Sequence, residues 1–133
     1  MEHIPSIRVV AAVIEKDGRY LITQRRPAAV LPLLWEFPGG KREEGESDSQ
    51  ALKREMQERL DALVDVGQLI SYVSHPYGHY TVDLFLYECR LLSDALHPKA
   101  VHAFRWVTSA EFDDYEFTPA DEASMAKLLG VEV

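Results

Sequence analysis

The chain holds a single cysteine, Cys89, among 133 residues, which excludes an internal disulfide framework. Cys89 lies in the apolar run Leu84-Phe-Leu-Tyr-Glu-Cys with no His or Asp partner close by in sequence, so it reads as a buried strand thiol rather than a nucleophile. Basic residues are also in deficit: 14 Lys and Arg stand against 22 Asp and Glu, a formal charge of −8. A nonspecific binder of nucleic-acid polymer needs a basic face, and this composition argues against one. It leaves room for a single nucleotide, because a local cluster or a metal ion holds phosphates inside an acidic protein. Long apolar runs are missing too. No stretch approaches the about 20 residues that span a bilayer, and Met1-Glu-His-Ile-Pro lacks the basic and apolar segments of a signal peptide. A cytoplasmic protein without a membrane partner is expected. There is no repeat, linker or low-complexity tract, and 133 residues at 47% hydrophobic content suit one domain spanning 1–133.

β-Branched residues concentrate in Ile7–Ile14, a strand that runs into a turn signal at Lys16-Asp17-Gly18. Strand character resumes at Tyr20–Gln24, so the two segments are expected to pair as a hairpin. Pro27 and Pro32 frame a loop, and Trp35-Glu-Phe37 is a brief extended piece ended by Pro38-Gly39-Gly40. Ser47-Asp-Ser-Gln50 has the capping-box pattern, which predicts a helix from Asp48 to Leu60 with Leu52, Met56, Leu60 and Leu63 as its buried stripe. Strand-like segments at Gln68–Ser74 and Tyr80–Leu91 flank a turn at His75-Pro-Tyr-Gly78. Phe104–Val107 is a further short strand and Ser109–Phe112 begins a helical turn. A closing helix over Pro119–Leu129 would pack Ala123, Ala126, Leu128 and Leu129 and stop at Gly130. Strands, helix, strands, helix in that order predict an α/β (α+β) sandwich with a mixed sheet between helices.

Gly39-Gly40 permits a backbone turn and a close approach to a ligand. Fifteen residues further on, Glu55 and Glu58 lie about 60° apart on one helix face, and the apolar stripe centres roughly 130° from their midpoint. Both carboxylates are therefore expected on the side that does not pack into the core. Hard oxygen ligands placed in this way suit Mg²⁺ or Mn²⁺. Acidic and basic residues at these spacings also make an ordinary solvated helix face, so the two carboxylates alone leave both readings open.

The spacing becomes specific when taken whole. Gly40, Glu46, Arg54, Glu55, Met56, Glu58 and Ala62 stand where the Nudix signature places its glycine, first glutamate, Arg-Glu pair, apolar residue, next glutamate and final apolar residue. Trp35-Glu-Phe-Pro-Gly-Gly-Lys41 upstream, with Phe104-Arg-Trp-Val107 and Thr118-Pro-Ala-Asp121 downstream, resembles the MutT-like branch of that family across nearly the whole chain. The resemblance implies the Nudix fold and cleavage of a nucleoside diphosphate linked to another group, with divalent cations that polarise the pyrophosphate and activate water. It implies metal held by the Gly40 carbonyl, Glu55 and Glu58, a brace between Glu46 and Arg54, and substrate contacts from Arg25 and Phe37. Asp121 falls where such proteins read the base, and a carboxylate there accepts from the exocyclic amine of cytosine. Arg25 as a solvated charge at a strand end, and Asp121 as an ordinary acidic residue near a helix start, are the plainer alternatives.

Two departures weaken the pattern. The second glutamate of the signature's Glu-Glu pair is Arg59, and the glycine two positions on is Asp61. Arg59 falls about 40° around the helix from Glu55, where it would repel Mg²⁺ or pair with that carboxylate. A further glutamate often found about five residues before the Arg-Trp pair is Ala100 here, with Val101 and His102 beside it. His102 is a formal base candidate, although a strand-edge histidine is more often incidental. Glu43, Glu44, Asp48 and Asp61 are the nearby carboxylates that would have to compensate. The expected activity is hydrolysis of (deoxy)nucleoside triphosphates, of cytidine type or carrying an oxidised base, to monophosphate and pyrophosphate with Mg²⁺ or Mn²⁺, by a monomer or homodimer. The alternative is a catalytically silent nucleotide-binding or regulatory module, as in Nudix-like domains with eroded boxes such as the one that follows the catalytic part of adenine glycosylases.

Overall fold

A computed structural model describes residues 4–128. Leu129 and Gly130, expected to finish and stop the last helix, lie outside the described residues, as does the side chain of Leu128. The strands are β1 (Ser6–Val13), β2 (Glu15–Lys16), β3 (Arg19–Gln24), β4 (Trp35–Glu36), β5 (Gly39–Lys41), β6 (Val64–Pro76), β7 (Thr81–Leu91) and β8 (Ala103–Val107). The helices are α1 (Asp48–Leu60), a 3₁₀ turn over Ser109–Asp114 and α2 (Pro119–Leu128).

The strands form two four-stranded sheets. One has the order β5-β1-β7-β6 and is mixed, since β1 runs parallel to β7 while its other pairings are antiparallel. The other groups β2, β4 and β8 around β3. This arrangement corrects the expected hairpin. β1 does not pair with β3; the hairpin is β2 with β3, turning on Asp17 (φ 53°) and Gly18 (φ 78°). Two positive φ values in a two-residue loop match the twist of antiparallel strands. β1 is diverted because its alternation gives it two apolar faces. Val10, Ala12 and Ile14 join Leu52, Met56 and Leu60 of α1, whereas Ala11 and Val13 join Ala120 and Met125 of α2. A strand buried on both faces belongs inside a sheet, not in an exposed ribbon.

Helix α1 has the predicted boundaries. The Ser47 side chain accepts from Gln50 N, and the Gln50 side chain accepts from Ser47 N. Leu52, Met56 and Leu60 are fully buried, each contributing roughly 1.5–3 kcal/mol. Leu63 departs from the expected stripe and is 54% exposed. Asp61 explains why: it caps the helix in the left-handed region (φ 55°, ψ 37°), so the periodicity ends and Ala62 takes the inward place. The signature's glycine at this position is the residue such a cap prefers, and aspartate is among the few others that tolerate it. In α2, Ala120, Ser124 and Met125 are buried while Ala123 and Ala126, expected to pack, are only half-buried. Cys89 is buried on β7, and burial pushes its thiol up to about 12. No described helix is long and apolar enough to cross a membrane.

Candidate active site

Helix α1 delivers Arg54, Glu55, Glu58 and Arg59 toward the end of β5. Glu58 is exposed, as its helical phase predicts, but Glu55 is 7% exposed. The expectation that both carboxylates face solvent therefore fails for Glu55, because β5 folds over it. That cover depends on Gly40, where a Cβ would sit 2.3 Å from Glu55 Oε2. Lacking one, the strand lies directly on the carboxylate while still pairing with Val10 of β1.

Arg54 ties the surrounding loop together. Its Nε donates to Glu46 Oε2 at 2.7 Å and its Nη2 to Glu46 Oε1 at 2.9 Å. Nη2 also reaches the Lys41 carbonyl at 3.0 Å, and Nη1 donates to Glu55 Oε1 at 2.8 Å and Glu58 Oε2 at 3.2 Å. Three of these five contacts hold the Lys41–Ser47 loop against the helix, and the other two bind carboxylates of α1 itself. Bonding to Arg54, with the Glu43 N–H second, draws the Glu46 carboxyl down to about 2. Arg59 takes the other side of the buried carboxylate, its Nε donating to Glu55 Oε2 at 2.6 Å.

Two cavities meet at this point. An apolar one of about 470 Å³ runs between Val9, Phe37, Tyr77, Val82 and Leu84 to Asp121. A polar one of about 330 Å³ is lined by Arg25, Arg26, Glu55, Glu58, Arg59 and Ala100. Arg25 and Arg59 line both, so the two make one cleft. Arg25 is not a solvated strand-end charge: Nε donates to the Val30 carbonyl at 2.7 Å and Nη1 to Glu36 Oε1 at 3.1 Å. Glu36 retains only 15% side-chain exposure, and burial raises its pKa against the opposing pull of Arg25.

Asp121 closes the apolar end. Oδ1 accepts from Phe37 N at 2.9 Å and Oδ2 from the Thr118 hydroxyl at 2.6 Å, while Asp121 N donates back to Thr118 Oγ1 at 3.3 Å. It therefore holds the Thr118 hydroxyl that caps α2, ties the residue after β4 to that helix and lines the cavity at once. Burial, reinforced by the charge of Glu36, pushes its carboxyl up from 3.8 to about 7. A carboxyl raised on folding stabilises the protein below its unfolded value and loses that contribution as pH rises through the folded one. Stability should accordingly decline between about pH 4 and pH 7, and Asp121→Asn should flatten this decline. Thermal unfolding of both proteins from pH 4 to 8 tests this; parallel curves would refute it.

Ala100 stands in the polar cavity wall, where it offers no carboxylate. His102 is exposed and lines neither cavity. Of the candidate compensating carboxylates, Asp48 and Asp61 are committed elsewhere, and none of the four lines either cavity. Asp48 takes a bidentate bond from Arg8 at 2.6 and 2.8 Å and another from the Tyr87 hydroxyl. Asp61 faces His97 and Lys99, Glu43 lies 3.7 Å from Arg54, and Glu44 is exposed. Glu36 and Tyr77, whose hydroxyl accepts from Ala120 N at 2.9 Å, line the cavity and carried no site assignment from sequence. For Glu36 the available signal was a charge set between two aromatic residues, Trp35 and Phe37, in a segment otherwise apolar.

Among the described residues no group of three or more His, Cys, Asp or Glu side chains is arranged to hold a metal ion. The donors at Gly40, Glu55 and Glu58 still suit a hard cation of the Mg²⁺ kind, which takes one or two carboxylates and completes its shell with water and substrate phosphate. They fit on that basis, with Arg59 competing for one Glu55 oxygen.

A family model described as the NUDIX domain matches residues 9–127. The chain is 36% identical over 124 residues to a CTP pyrophosphohydrolase of Escherichia coli (strain K12), covering 90% of this chain and 92% of that protein. It is 35% identical over 123 residues to a putative 8-oxo-dGTP diphosphatase 2 of Mycobacterium tuberculosis, covering 90% and 86%. The solution structure of the E. coli ORF135 protein superposes with a TM-score of 0.81 at 31% identity, over 96% of this chain and 91% of that one. With the family match spanning nearly the whole length and these relatives aligned end to end, the chain belongs to the Nudix hydrolase family.

Proposed function

We propose that the protein hydrolyses a nucleoside triphosphate to monophosphate and pyrophosphate, using Mg²⁺ or Mn²⁺, with a cytosine or oxidised-guanine base in the apolar cavity. The observation that carries this reading is the shared cleft, whose apolar end closes on Asp121 and whose polar end gathers Glu55, Glu58 and Arg59 of the Nudix box with Arg25 and Arg26. Nudix hydrolases use divalent ions, and Gly40, Glu55 and Glu58 are the residues that would hold one here, where it would polarise the pyrophosphate and lower the pKa of a water. Arg25, anchored on Glu36 and the Val30 carbonyl, is the preset phosphate contact. Phe37 and Tyr77 offer the base apolar walls. Asp121 accepts from a base amine when ionised and donates to a carbonyl when protonated, a choice that its carboxyl near 7 keeps open.

Arg59 on Glu55 and Ala100 in the cavity wall favour a second reading, nucleotide binding without turnover. A pyrophosphate-release assay over canonical, oxidised and methylated nucleotides, with Mg²⁺ and with Mn²⁺, separates the two. The hydrolase reading expects turnover of at least one cytidine or oxidised-guanine substrate. Silence across the panel at high enzyme concentration, with one nucleotide still raising the melting temperature, would establish the binding module instead. Asp121→Ala should reorder substrate preference, and an unchanged ranking would remove it from base recognition.

A further inference from the structure

Arg59 sits at the junction of the two cavities with 29% of its side chain exposed. Its side chain bonds to Glu55, whose other oxygen is already held by Arg54 at 2.8 Å. A buried carboxylate must keep a cationic partner, but one is enough. Arg59 can therefore leave Glu55 without orphaning it. The neighbouring arginines are less available: Arg25 is bound to Glu36 and Val30, and Arg26 Nη2 donates to the Lys99 carbonyl at 2.6 Å. Three arginines against two glutamates also make the polar cavity formally positive in a chain of charge −8. A planar guanidinium at the mouth of such a cavity matches the paired oxygens of a phosphate.

We infer that Arg59 is an exchangeable cation that rests on Glu55 and transfers to the phosphates of an incoming nucleotide. Nucleotide binding then needs no metal ion, and Glu55 becomes available to a cation only once nucleotide is in place. This rests on the nucleotide site proposed above.

Calorimetry with the non-hydrolysable α,β-methylene analogue of CTP, in excess EDTA and in Mg²⁺, tests it on the intact protein. The analogue should bind in EDTA and, by the same coupling, about tenfold more tightly in saturating Mg²⁺, and Arg59→Gln should weaken binding in EDTA by about tenfold or more, the loss of a charge-assisted contact. Mn²⁺ followed by electron paramagnetic resonance should bind about tenfold tighter after the analogue is added, since nucleotide would have drawn Arg59 away. Arg59→Lys, which keeps the charge but not the fork, should fall between the two and carries the test if Arg59→Gln does not fold. Binding by the wild type in Mg²⁺ alone, or by Arg59→Gln in EDTA as tightly as by the wild type, overturns the exchange. Absence of binding in both conditions, repeated with an 8-oxo-dGTP analogue, instead removes the nucleotide site.

Discussion

Alanine at position 40 should lower turnover by about two orders of magnitude while the protein stays folded. A Cβ there would lie 2.3 Å from Glu55 Oε2, 2.4 Å from Cδ and 2.7 Å from Oε1, all inside any real contact distance. Every obstructing atom belongs to the end of a flexible side chain, so the carboxylate yields and the backbone does not. Glu55 then loses its place between Arg54 and Arg59. Displacement of a reacting group by about 1 Å lowers rates by a factor on the order of 10². Stability should fall by only about 1–3 kcal/mol, the range for overpacking. Gly39→Ala is the control with the opposite profile. Its Cβ meets Val10 O at 1.9 Å and Ala11 Cα at 2.7 Å, backbone atoms that cannot move without breaking the pairing of β1 with β5. Pyrophosphate release and thermal melts on both variants decide the matter. A Gly40→Ala enzyme with near wild-type turnover would show that the position of Glu55 is not critical.

Arg54→Ala is expected to have the largest effect on stability. The substitution removes five hydrogen bonds and leaves Glu46, Glu55 and Glu58 facing one another with Arg59 as the remaining cation on Glu55. Removing one partner of a partly buried charge network costs about 3 kcal/mol, and for a domain of this size that lowers the melting temperature by on the order of 10 °C. The loss should depend on pH. Glu46, drawn down to about 2 by Arg54, contributes stability above its unfolded value of 4.5 that disappears as pH falls through the folded one. The gap between wild type and variant should therefore narrow as pH drops from about 4.5 toward 2. A gap that stays constant over this range would show that Arg54 acts through packing rather than through charge.

The readable parts of the molecule were those whose cause is local. The boundaries of α1 followed from Ser47 and Gln50, three residues apart, and its buried face from a period of 3.6. The turn at Asp17-Gly18 was equally legible, but the partner strand was not, since two apolar faces on β1 acquire meaning only when α1 and α2 cover them. The same limit applied at the site. Helical phase placed Glu55 with Glu58 in solvent, and the contact of Gly40 with its carboxylate reversed that for one of the two. Glu36 went without a role because its neighbours in the cleft, Arg25 and Asp121, are distant along the chain.

By itself, then, the sequence determined the Nudix identity, the helix that bears Arg54, Glu55, Glu58 and Arg59, and the absence of the usual glutamates at positions 59 and 100. Hydrogen-bonded turns, caps and periodic burial act between residues a few positions apart, and a linear pattern encodes them. Only the tertiary structure decided that Arg59 turns onto Glu55, that Gly40 seals the carboxylate from solvent, and that Asp121, 84 residues from its partner Phe37, is buried enough to titrate near 7. Those properties depend on local dielectric and on charges brought together by folding, which residue spacing does not contain.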